Sequence, residues 1–124
     1  MMHSGYINIG SICMTEELLN QYTDAVGALP GFFGNSIPNM LIISRSIAMM
    51  LETFGIKDGA IHSTQEISNY DTVDFGEVVN CYAQKGKSRI MKDIEMIFVS
   101  CKFETQKAKI ICESRSVVIV QQDD

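Results

Sequence analysis

Residues 34–55, "GNSIPNMLIISRSIAMMLETFG", decide how this chain folds. The middle of the segment, residues 40–54, carries only five polar side chains in fifteen. Read as a helix, it places Met40, Ile43, Ile47, Met50, Leu51 and Phe54 on one apolar stripe. Leu41, Ile42, Ala48 and Met49 then extend hydrophobic surface around most of the remainder. A helix of this kind has to be wrapped on nearly every side. A bilayer is a poor wrapping, because the run is shorter than the ~20 residues a span needs and contains Arg45 between Ser44 and Ser46. The start, "MMHSGYINIG", has no basic region leading into an apolar core, so no signal peptide is expected and the cytoplasm is the expected location. The wrapping must therefore come from protein.

The rest of the sequence supplies it. Upstream, "MTEELLNQYTDAVGAL" starts with Thr15 as an N-cap and Glu16 and Glu17 in the first turn, then sets Leu18, Leu19, Tyr22 and Val26 at helical spacing. Between the two helices, "PGFFGNSIP" is broken by Pro30, Gly31, Gly34 and Pro38, and reads as an ordered loop whose Phe32 and Phe33 pack on the core. After a turn at Lys57, Asp58 and Gly59 the composition shifts to Ile, Val, Tyr, Phe, Thr and Ser, with no proline in the last 65 residues. That texture predicts strands near 60–70, 77–84, 88–102 and 108–120, with turns at "DTVDFGE", "KGK" and "ETQK". The last two turns are short enough to make antiparallel hairpins.

Along "RIMKDIEMIFVSCKF", alternation sends Ile90, Ile94, Met96 and Phe98 to one face and Met91, Ile97, Val99, Cys101 and Phe103 to the other. A strand that is apolar on both faces implies a sheet covered on both: a helix on one side, a second subunit or layer on the other. Only "QQDD" at the C-terminus reads as frayed. Composition fits one folded unit over residues 1–124, with 46% hydrophobic residues, 20% charged residues and a net charge of -5. That acidic balance argues against nucleic acid, since the densest basic run is "KGKSR". Cys13, Cys81, Cys101 and Cys112 lack metal-ligand spacing, so reduced, mostly buried thiols and no metal are expected. An all-round apolar helix followed by four antiparallel strands is best satisfied by a curved sheet wrapped around the helix. This is the α+β hot-dog arrangement.

At the level of motifs the chain resembles the hot-dog acyl-thioester superfamily, in particular MaoC-like and beta-hydroxyacyl-ACP dehydratases. Their loop, of the type Pro-Gly-Asn-Pro-Ile followed by a Pro-Gly or His-Gly step into an apolar helix, is similar to "FFGNSIPNMLIISRSIAMM", with Asn39 at the glycine position. Their Pro-Val-x-Pro-Gly-Asp is similar to "TVDFGEVV", with Gly76 retained and Glu77 for the aspartate. The resemblance implies a homodimer or dimer-based oligomer with sheets joined edge to edge, an acyl-CoA or acyl-ACP substrate in an apolar tunnel, and no cofactor. Phe32, Phe33 and the Met49 region would line that tunnel. Independently, the amides at Asn39, Met40 and Leu41 would face a thioester carbonyl with the positive end of the helix dipole.

The family's catalytic pair is absent: residues 27–39 contain no His, Asp or Glu, and Ser44 stands where the helix acid is expected. The remaining candidates are His62 as a base and Glu52 as a water-activating carboxylate. Asp24 reads as a solvated residue of the first helix, and Asn39 as either a helix cap or a thioester contact. Arg45, in an apolar helix, would pair with an acid across the dimer, such as Glu66, or meet a phosphate or carboxylate of a ligand. The leading expectation is a hydratase or dehydratase of 3-hydroxyacyl thioesters. A thioesterase and a non-catalytic acyl-thioester-binding protein are the alternatives.

Overall fold

The computed structural model describes residues 5–56 and 59–121. The expected turn at Lys57 and Asp58, and most of the C-terminal "QQDD", lie outside them. The elements run β1 (Ile7–Cys13), α1 (Glu16–Ala25), α2 (Asn39–Thr53), β2 (Ile61–Asn69), β3 (Val78–Lys85), β4 (Arg89–Met91), β5 (Ile94–Thr105) and β6 (Ile110–Gln121). The strands form one antiparallel sheet in the order β1-β3-β5-β6-β2, and β4 pairs with β5. The helix α2 lies against the sheet, meeting β1, β3 and β6. This is the hot-dog arrangement.

The alternation in β5 is what seats the helix. Ile97, Val99, Cys101 and Phe103 are all buried on the inner face, beside Cys81, Ile111, Cys112 and Val118 from the neighbouring strands. Three of the four free thiols are in this core, and burial pushes Cys81 and Cys112 up to about 12 and Cys101 to about 11, so all three stay protonated. Cys13 is the exception and is exposed.

Several expectations need correction. The first strand, β1, was not anticipated. It is an edge strand whose ladder with β3 is shifted between Asn8 and Gly10, with the Asn8 carboxamide oxygen accepting from the Gly10 amide at 2.8 Å. The expected strand 88–102 is two strands. The chain turns at Lys92, which takes a left-handed φ of 56°, so β4 folds back on β5 and leaves Ile90 and Met91 exposed instead of on sheet faces. The outer face of the sheet is not a second apolar layer, because past Phe98 it carries Ser100 and Lys102 on β5, opposite Arg115 and Glu113 on β6. Nor is α2 enclosed all round. Its buried residues are Leu41, Ile42, Ile43, Ser46 and Met50, while Met40, Ser44, Arg45, Ala48 and Glu52 are exposed.

Candidate functional site

The site begins at the N-terminus of α2. Pro38 occupies the N-cap position with an extended backbone, φ -71° and ψ 137°, and offers no side-chain cap. The Leu41 amide closes a tight turn onto the Pro38 carbonyl at 3.0 Å. The preceding amides, of Asn39 and Met40, have no acceptor among the described residues, as the geometry of a helix start dictates. They carry the positive end of the helix dipole.

Asn39 is not a cap. It is the first helical residue, and its side chain reaches the far end of β2, where Nδ2 donates to Asn69 Oδ1 at 3.0 Å and to the Asp71 carbonyl at 3.1 Å. Two oxygen acceptors on one side fix the orientation of the carboxamide. Its Oδ1 is buried and has no partner among the described residues. The anchor for this strut is firm, since the amides of Tyr70 and Asp71 both donate to the Ile111 carbonyl, at 2.9 and 3.1 Å. The Asp71 carboxylate accepts from the Thr72 amide at 2.8 Å. Asn69 and Asp71 had no signal in the sequence, because nothing in the spacing of "SNYD" links it to a residue thirty positions earlier.

The loop before α2 is a run of tight turns, Phe32 to Leu29, Gly34 to Gly31 and Ser36 to Phe33, each amide-to-carbonyl bond 2.9–3.0 Å long. Gly31 and Gly34 take positive φ there, 78° and 58°. Phe33 packs on Tyr22 of α1 with ring centroids 5.9 Å apart. Phe32 meets Phe33 edge-on but is 69% exposed, so within one subunit it does not pack on the core as expected, whereas Phe33 does. The second resembling motif is structural. The Gly76 amide donates to the Met14 carbonyl at 2.8 Å, and Glu77 Oε1 accepts from the Asp74 amide at 2.8 Å, which, with Lys109 nearby, lowers its pKa.

The candidate catalytic residues are not brought to Asn39 within one subunit. Glu52 is exposed near the opposite end of α2, about 20 Å along the helix from Asn39 at 1.5 Å per residue. His62 is at the start of β2, roughly 20 Å from Asn69 at 3.3 Å per residue. It pairs with the buried Val118, so it faces the inner side of the sheet, as Asn69 does at the other end. Arg45 is exposed rather than buried. Within its own subunit Glu66 is opposite Arg115 on the outer face of the sheet. Arg45 and Met49 instead border a groove between α1, α2 and β1.

Burial lowers the pKa of His62, and its Nε2 is buried without a partner among the described residues. The folded state therefore favours the neutral imidazole. Its stabilising contribution is present above the unfolded value of 6.5 and is lost as pH falls below 6.5 toward the lowered folded value. Thermal unfolding should thus show a midpoint that drops between pH 7 and pH 5, and His62→Gln should flatten that slope. An unchanged slope would mean that His62 titrates as a free imidazole.

No protein-family model matches the sequence, and no curated protein matches it. Solved structures do match its fold. The chain superposes on the HadBC (3R-hydroxyacyl-ACP dehydratase) complex of Mycobacterium tuberculosis with a TM-score of 0.75 at 12% identity, covering 93% of this chain and 94% of that one. It matches a MaoC-like dehydratase from Rhodospirillum rubrum at 0.72 and 12%, with 96% and 92% covered. It also matches an (R)-hydratase from A. caviae involved in PHA biosynthesis at 0.72 and 14%, with 95% and 94% covered. Among the described residues, no helix is long and apolar enough to cross a membrane.

Proposed function

We propose that this hot-dog chain works on acyl thioesters of CoA or an acyl carrier protein, as a hydratase or dehydratase of 3-hydroxyacyl chains assembled from two copies. The observation that carries this reading is the start of α2, where two amides without acceptors among the described residues adjoin a carboxamide whose buried oxygen likewise has no partner among them. A thioester carbonyl set against those amides would have its developing negative charge stabilised at C1, which is what removal of a proton from C2 requires. The likeness in fold to proteins described as hydroxyacyl-ACP dehydratase and (R)-hydratase supports the same class.

The base is assigned through the dimer. The edge of β2 is unpaired in the sheet order, nine residues long and free of proline and lysine, so little blunts it against pairing with a second copy. Antiparallel pairing of two β2 edges carries the start of one strand to the end of the other and keeps the inner faces together. The second copy's His62 would then approach Asn69 and Asn39 of the first. A neutral imidazole there would take the C2 proton and return it to the departing C3 hydroxyl, which leaves as water.

A second reading, binding without catalysis, is favoured by one fact: among the described residues of a single subunit no imidazole or carboxylate side chain hydrogen-bonds to the Asn39 side chain. A thioesterase through Glu52 has less support, given how far that carboxylate lies from the amides. The test supplies 2-enoyl-CoA and follows loss of the conjugated thioester, release of free thiol, and binding. Hydration that falls by 10²–10⁴ in His62→Gln while the dimer persists in sedimentation is expected. Thiol release would support the thioesterase, and tight binding without turnover the non-catalytic reading. A monomer at micromolar concentration would sink the shared site.

A further inference from the structure

Away from the start of α2, helix α1 leans on α2 without closing onto it, and leaves a groove of about 590 Å³ bounded on its third side by β1. This is within the roughly 300–1,000 Å³ of small-molecule sites. The apolar side of the groove comes from Ile12, Leu18 and Met49, and the polar side from Ser44, Gln21 and Arg45. A narrower extension of about 110 Å³ runs on toward Leu41 and Tyr22, and Arg45 borders both parts. Arg45 makes no ion pair among the described residues. Glu17, the other charged group on the groove, borders only the wider part. Gly10 backs Met49 at the β1 side: a Cβ there would lie 2.6 Å from the Met49 sulfur, and the φ of 144° further restricts the position to glycine. The absence of a side chain at Gly10 thus leaves room for the Met49 sulfur.

We infer that this groove binds an aliphatic carboxylate or phosphate monoester, with the oxyanion on Arg45 and the chain over Ile12, Leu18 and Met49. A guanidinium without an ion pair among the described residues, beside a mixed groove with Ile12, Leu18 and Met49 along one side, complements a ligand that has one charged end and a hydrocarbon body. Guanidinium hydrogen bonds to an oxyanion are of the strong, charge-assisted kind. A polar ligand without a chain leaves the trough unused, and a neutral chain leaves the charge unused. The inference does not rest on the acyl-thioester reading, since neither Asn39 nor His62 takes part.

The test is a titration of protein carrying 13C-methyl methionine with octanoate, octyl phosphate, octanol and inorganic phosphate, reading the Met49 methyl, assigned through Met49→Leu. Octanoate and octyl phosphate are expected to move that signal at concentrations about tenfold lower than octanol, as one charge-assisted contact would give. Inorganic phosphate alone should leave it in place. In Arg45→Gln the advantage over octanol should vanish. In Arg115→Gln, which removes the same charge from the outer face, it should persist. Whichever of the two alkyl anions binds more tightly names the preferred head group. An Arg45→Gln protein that keeps the preference, an unmoved Met49 methyl with both alkyl anions, or inorganic phosphate matching them would each overturn the site.

Discussion

Phe103→Ala is expected to cost about 3–5 kcal/mol of stability, the range found when a buried phenylalanine is truncated and its cavity only partly collapses. Phe103 is fully buried on β5, directly opposite Cys81 of β3 and Cys112 of β6. Three adjacent strands therefore surround the space it fills, and their ladders resist moving inward to close it. Against a total of about 5–15 kcal/mol for a typical domain, such a loss leaves little. Urea unfolding should show the midpoint falling with the slope unchanged. Phe98→Ala is the internal control. It is on the same strand but faces outward and is 36% exposed, so its loss should be well under half as large. Equal losses would mean that the outer face is covered by something as well packed as α2.

That these two phenylalanines point to opposite faces was legible in the sequence, because a period of two assigns alternate residues of a strand to opposite faces whatever the tertiary context. Their difference in burial was not, since both faces were expected to be covered. The four strands that carry most of the sheet were legible for the same reason, and α2 from its length and composition. Strand β1 was not. It is short, interrupted by Gly10, and held by pairing with β3 some seventy residues later, which local spacing does not encode. The turn at Lys92 was hidden because lysine rarely adopts positive φ, so "RIMKDIEM" reads as one continuous strand. At α2 the composition showed that the helix is buried but not which sides are open. Arg45 is exposed on the groove bounded by α1 and β1, and the placement of those elements is not encoded in the spacing within α2. The start of the helix was legible as a set of unpaired amides. Local rules gave Asn39 only a choice between a capping role and a ligand contact, whereas its partners, Asn69 and Asp71, are thirty or more residues away.

That long-range strut shapes the prediction for the site itself. On the proposed reading, Asn39→Pro should reduce acyl-thioester turnover by 10²–10³, the usual consequence of losing one oxyanion donor. The helix should survive, since Asn39 is the first helical residue and proline is tolerated there, where the lost amide has no intrahelical partner in any case. Asn39→Pro also deletes both bonds to the end of β2, so a second variant has to separate the two losses. Asn39→Gly keeps the amide and removes only the side chain, restoring the residue that the resembling dehydratases place there. Glycine should therefore retain most of the turnover while sharing the stability loss of about 1 kcal/mol per hydrogen bond removed. Turnover with 2-enoyl-CoA, together with far-ultraviolet circular dichroism and the unfolding midpoint, distinguishes the cases. If proline impairs turnover and glycine does not, the amide faces the carbonyl. If both impair it equally, the strut is what matters, because it fixes where the start of α2 stands against β2 and hence against any group that a second β2 brings. A folded Asn39→Pro protein with full turnover would remove the start of α2 from the reaction and direct attention to the groove beside Arg45.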